Sequence, residues 1–144
     1  MADLLSAQLT GYLSNPATRP GGNEYGGRTR RYRATITLAS QATTDNIALA
    51  KIPAGSIFAY GLITASVSLS TAVVAIGTNK VHASNGQLRA AGTFTAVDTP
   101  TPFGLAAAVS QVALTADTWV YLTIATAALP SSGTLNVDLF YTNA

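Results

Sequence analysis

The 144-residue sequence has one histidine and no cysteine, so the side chains that could do chemistry are few. His82 stands in Lys80-Val81-His82-Ala83-Ser84-Asn85-Gly86. A hydrolytic triad needs its base paired to a nucleophile and oriented by an acid or a carbonyl. Ser84 is close in sequence, but adjacent strand positions point differently and no acid lies in this stretch, so His82 reads as a solvated loop residue. Asp45, Asp98, Asp117 and Asp138 are spread singly, whereas a calcium site needs several oxygen ligands drawn together. Asp45 and Asp117 each precede a strand-like run, where a short acid bonds its own backbone in a turn. Gly21-Gly22 and Gly26-Gly27 neither follow a strand nor open a helix, and no Gly-Lys-Ser/Thr is present, so a phosphate loop is unsupported. Without cysteine, neither a disulfide framework nor a cysteine zinc site can form. The expectation is a non-enzyme with no catalytic residue, no metal site and no cofactor.

The one concentrated charge is Arg28-Thr29-Arg30-Arg31-Tyr32-Arg33. Arginines with a tyrosine can pair with phosphates and stack on a base. They equally suit an acidic protein surface, through bidentate carboxylate bonds, or a strand edge charged against unwanted pairing. Residues 1–33 carry five arginines against Asp3 and Glu24, a net +3, whereas residues 34–144 sum to −1. A near-neutral domain argues against a broad nucleic-acid-binding face, so Arg28, Arg30, Arg31 and Arg33 are expected to contact protein. Leu4, Leu5, Leu9, Tyr12 and Leu13 have the spacing of one apolar face of a short helix over 3–12. Leu4, Leu5 and Tyr12 join the candidate contact residues.

These residues are carried by two regions. Residues 1–33 hold Asn15-Pro16, Arg19-Pro20-Gly21-Gly22 and Gly26-Gly27, breaker signals without sustained periodicity, and read as an extended N-terminal arm. Residues 34–144 read as one β-domain. Strands are expected over 34–38, 46–52, 57–65, 67–77, 87–95, 118–127 and 134–142, from period-2 alternation such as Val120, Leu122, Ile124 and Leu135, Val137, Leu139, Tyr141. Turn signals fall between them at Ile52-Pro53-Ala54-Gly55, Asn85-Gly86, Pro100-Thr101-Pro102 and Pro130-Ser131-Ser132-Gly133. Asn85-Gly86 suggests a type I′ hairpin. Segment 105–113 suits either a helix, by its alanines, or a strand, by its surroundings. Short strands with regular turns indicate an all-β, jelly-roll-like β-sandwich. A weak internal similarity joins two stretches, each an acid, a strand, an aliphatic-proline corner, a glycine and a strand, starting at Asp45 and at Asp117.

Charged residues make up only 10% of the chain, against about 25% in a typical protein, which suits a surface packed against neighbours. No apolar run is long enough to span a membrane, and Met1-Ala2-Asp3-Leu4-Leu5 lacks the pattern of a secretory signal.

From Ala34 to Tyr141 the chain resembles small structural proteins of tailed-phage virions, of the capsid decoration or cement type. The resemblance rests on Ile52-Pro53-Ala54-Gly55, Val67-Ser68-Leu69-Ser70, Ala75-Ile76-Gly77-Thr78 and Gly92-Thr93-Phe94-Thr95-Ala96-Val97-Asp98-Thr99-Pro100. It continues in Leu114-Thr115-Ala116-Asp117, Tyr121-Leu122-Thr123-Ile124 and Leu129-Pro130-Ser131-Ser132-Gly133-Thr134-Leu135. It implies a protein made in the host cytoplasm and carried on the capsid surface. Its implied partners are the major capsid protein and further copies of itself, with a trimer as the expected oligomer. A head fibre, a tail or head–tail joining component, and a carbohydrate-binding module of a fibre or adhesin are the alternatives. The arm lies outside the resemblance.

Overall fold

The structure, a computed structural model, describes Pro16 and residues 28–109 and 112–143. The helix expected over 3–12, with Leu4, Leu5 and Tyr12, lies outside the described residues. Eight strands follow one another: β1 (Thr29–Thr37), β2 (Asn46–Ile52), β3 (Ser56–Ala65), β4 (Val73–Gly77), β5 (Arg89–Thr93), β6 (Thr101–Phe103), β7 (Thr118–Ala125) and β8 (Thr134–Asn143). They form two four-stranded sheets, ordered β1-β8-β3-β6 and β2-β7-β4-β5, with every pairing antiparallel. Eight strands divided between two sheets in this order make the double-sheet jelly roll, so the expected fold class is the observed one.

Alternation fixes which way each sheet faces. Leu135, Val137, Leu139 and Tyr141 of β8 are buried, as are Val120, Leu122 and Ile124 of β7. These inner faces close on each other with Ile36, Ile52, Ile63, Val74, Ile76 and Leu129 in one continuous core. Such close packing of β-branched and leucine side chains is the main favourable term holding the sheets together.

Two proline corners carry the chain from the second sheet to the first. Pro53 to Gly55 joins β2 to β3, and Pro130 to Gly133 joins β7 to β8. Proline ends the outgoing ladder because it has no N–H to donate. Gly55 and Gly133 then adopt φ of +85° and +115°, values that L side chains rarely take. A Cβ on Gly133 would also approach Val67 Cγ2 to 2.9 Å. The two units pair strand for strand, β2 with β7 and β3 with β8, so the stretches that look alike in sequence occupy equivalent places in the fold.

Several expected elements differ from those observed. β1 starts earlier than Ala34, at Thr29, because Tyr32 and Ala34 point toward the core while Arg31 and Arg33 take the outer positions of the same alternation. The run 67–77 is not one strand: residues 66–72 are a loop with Ser70 at φ +55°, and only Val73–Gly77 pairs. Pro100-Thr101-Pro102 is not simply a turn, since Thr101–Phe103 is an edge strand, where a proline's missing N–H costs no ladder bond. Residues 105–109 form a turn closed by bonds from the Ala108 and Val109 amides to the Leu105 carbonyl. Asn85-Gly86 is not a type I′ turn. Gly86 has φ +112°, but Asn85 is extended, its side chain being drawn inward by hydrogen bonds described below.

Candidate functional site

The outer face of the first sheet carries two of the four candidate contact residues that are described, Arg31 and Arg33. Arg30 falls on the Tyr32 and Ala34 side of the same alternation, and Arg28 precedes the strand. The register of β1, β8, β3 and β6 lays its side chains out in rows. Thr35, Asn136 and Thr64 form one row, and Arg33, Asp138, Leu62 and Pro102 the next. Arg31, Phe140 and Tyr60 form the third. In the first row the Thr35 hydroxyl donates to Asn136 Oδ1 at 2.8 Å.

Arg33 and Asp138 face each other directly across β1 and β8. Arg33 Nε donates to Asp138 Oδ1 and Nη2 to Oδ2, both at 2.7 Å. Asp138 is only 7% exposed, and a carboxylate so placed needs a charged partner to keep its ionised form favourable. The Arg33 hydrogen bonds hold its carboxyl below the ordinary range against the opposing effect of burial, with smaller electrostatic help from Arg33 and Arg31. Arg33, exposed in its own right, has its guanidinium pKa raised by the same pair. The arginine cluster is therefore not uniform: Arg33 is committed to its own sheet.

Arg31 lies in the third row beside Phe140, whose ring stacks on Tyr60 with centroids 4.5 Å apart and an interplanar angle of 12°. Tyr60 is 44% exposed. Arg28, Arg30 and Arg31 are exposed, and among the described residues the one ion pair is Arg33 with Asp138. An exposed tyrosine stacked on a half-buried phenylalanine, with an adjacent free arginine, has the composition that dominates protein-binding energy, in which Tyr and Arg are enriched. The sequence places Tyr60 and Phe140 in strands. What it does not reveal is that the bulge between Phe58 and Tyr60 brings the Tyr60 ring outward onto Phe140.

On the outer face of the second sheet, His82 begins a short 3-10 helix, His82–Ser84. Its ring is half-buried, with Nδ1 3.0 Å from the hydroxyl of buried Thr123, so the solvated histidine of the sequence reading is instead tied to the sheet. Asn85 Nδ2 donates to the carbonyls of Ala75 and Tyr121 and to Thr123 Oγ1 at 3.0–3.3 Å. These contacts anchor a strap over the sheet. They assemble no nucleophile, base and acid set.

Of the two aspartates that lead strands, Asp45 bonds its own turn as expected, whereas Asp117 reaches a distant corner instead. Asp45 Oδ2 accepts from the Ala42 amide at 2.8 Å, and Asp117 Oδ1 accepts from the Ala54 amide at 3.0 Å across the first proline corner. Among the described residues no group of three or more His, Cys, Asp or Glu could hold a metal, and no helix is long and apolar enough to cross a membrane.

No family model and no curated protein matches the sequence. The fold is similar to a chain in the capsid of Ralstonia phage GP4, with a TM-score of 0.67 and 17% identity, over 82% of this chain and 86% of that one. A chain of the cyanophage Pam1 capsid asymmetric unit superimposes with a TM-score of 0.66 and 19% identity, covering both chains completely. A third likeness is to the acid-stable capsid of Helicobacter pylori bacteriophage KHP30, at a TM-score of 0.57 and 12% identity over 79% and 86% of the two chains. At these identities the likeness establishes the shared jelly roll.

Proposed function

We propose that this protein is a structural component of a tailed-phage virion, a decoration protein that attaches to the capsid surface and stabilises it through non-covalent contacts. The observation that carries this reading is the likeness, over 79% to 100% of this chain, to chains from three phage capsids. The low charge content supports it, since such a surface tolerates being packed against other subunits. In this reading the third row of the first sheet, Arg31, Phe140 and Tyr60, seats on the major capsid protein, where Arg31 meets acidic side chains, and Arg28 and Arg30 extend the contact at the start of β1. The segment ahead of β1, residues 1–28, adds a second attachment through Leu4, Leu5 and Tyr12, linking neighbouring copies in a homo-oligomer, a trimer.

The test is reattachment of purified protein to particles stripped of it. Arg30→Glu with Arg31→Glu, and separately Tyr60→Ala, are expected to lower occupancy on emptied and genome-filled capsids alike. Deleting residues 1–27 is expected to leave a folded domain with weakened attachment. A defect confined to filled particles would assign the arginines to nucleic acid instead. Full occupancy by every variant would remove the proposed contact face.

A further inference from the structure

The outer face of the second sheet has a different composition and suits a different partner. Trp119, Tyr121 and Thr123 occupy alternate positions of β7 while Val120, Leu122 and Ile124 enter the core, so all three project from one side. Trp119 is 47% exposed although it is the chain's only tryptophan. Successive same-face positions lie roughly 6.6 Å apart along a strand, close enough for one disaccharide to span both rings.

The strip is open at Trp119, half-buried at Tyr121 and covered at Thr123. Tyr121 is flanked by Ala48 on β2 and Gly77 on β4, neither of which is large enough to cover its ring. Lys51 sits opposite Trp119 with its Nζ 5.7 Å from the ring centroid, and Lys80, from the strap, places its Nζ 5.4 Å from the Tyr121 ring. Neither lysine pairs with a carboxylate among the described residues. The Asp117 carboxylate, nearest in sequence, is bonded to the proline corner. The floor is rigid, because Asn85 ties the strap to the β4 and β7 carbonyls and to Thr123.

We infer that this face binds an acidic oligosaccharide of hexuronate type, independently of capsid attachment. Two sugar rings displace the Lys51 and Lys80 ammonium groups from above Trp119 and Tyr121 and stack their apolar faces there, and their carboxylates meet the displaced lysines at the edge. A protein partner fits less well, because lysine is depleted at the centre of protein interfaces and covering two ammonium groups without paired acids is costly. A glycan leaves them partly in water. A nucleic acid strand would need a longer track of cations than two lysines provide.

Trp119 reports occupancy directly, since all tryptophan fluorescence arises at the site. Titrating oligogalacturonate is expected to give a saturable change in that fluorescence. Lys51→Gln with Lys80→Gln is expected to weaken binding about tenfold, the worth of two surface ion pairs, with the far-ultraviolet circular dichroism unchanged. Tyr121→Ala is expected to weaken it as well, and Trp119→Ala, read by calorimetry, to abolish it. A flat titration would overturn the inference. So would a neutral cello-oligosaccharide binding equally well, an unchanged affinity in the lysine variant, or a single-stranded DNA oligomer of the same charge binding more tightly.

Discussion

Replacing Val120 and Trp119 by alanine, one at a time, tests which side of β7 faces the core. The two residues are neighbours, so they point to opposite faces of the sheet. Val120 is fully buried. Its truncation removes two methyl groups at about 0.8 kcal/mol each. With the cavity left behind, the total comes to about 2–3 kcal/mol. Trp119 loses far more atoms, but from the solvent side, where no cavity forms. The loss is its cross-strand pairing with Lys51, within about 1 kcal/mol. At roughly 4 °C per kcal/mol for a chain of this size, Val120→Ala should melt about 10 °C below the parent and Trp119→Ala within about 4 °C of it. Thermal unfolding followed by far-ultraviolet circular dichroism reads both without needing the tryptophan signal. If Trp119→Ala destabilises as much as Val120→Ala, the sheet is inverted and the outward platform does not exist.

Two further predictions concern pH. The Asp138 carboxyl is held below its ordinary value chiefly by the Arg33 hydrogen bonds, so its contribution to stability is complete above about pH 3.9, the unfolded value, and is lost as pH falls through the depressed folded value. Asp138→Asn should flatten that acid limb in denaturant titrations across pH, and an unaltered limb would show the pair to be idle. The Tyr141 phenol is pushed well above its ordinary range, first by burial and then by Tyr32. Stability from this group is therefore complete below about pH 10 and declines as pH rises beyond it. Tyr141→Phe should lessen the alkaline decline, and an equal decline in both proteins would contradict the assignment.

The strands of the core were legible because their alternation is strong. In β2 and β8 one face is aliphatic almost throughout, and the predicted limits nearly coincide with the observed ones. β1 was harder to read because three arginines hide an alternation anchored only by Tyr32, Ala34 and Ile36. The role of Asp138 was not legible at all. A strand acid reads as solvent-facing until the register sets it opposite Arg33. Asn85 and Arg89 show the same limit. Asn85 reads as a turn residue and Arg89 as an ordinary charge, yet Asn85 binds the sheet beneath it and Arg89 Nη1 donates to the Val74 carbonyl at 2.6 Å. Each bond joins segments whose meeting depends on how the strands pair, and local pattern does not carry that information. The Tyr60–Phe140 stack depends in the same way on a bulge with no local signature.

The central claim is that the chain decorates a phage capsid, and quantitative mass spectrometry of purified particles tests it most directly. Decoration predicts a copy number in fixed proportion to the major capsid protein, with the chain accessible to surface labelling on intact heads. Absence from purified particles, or presence at only the few copies of a tail or joining component, would contradict it.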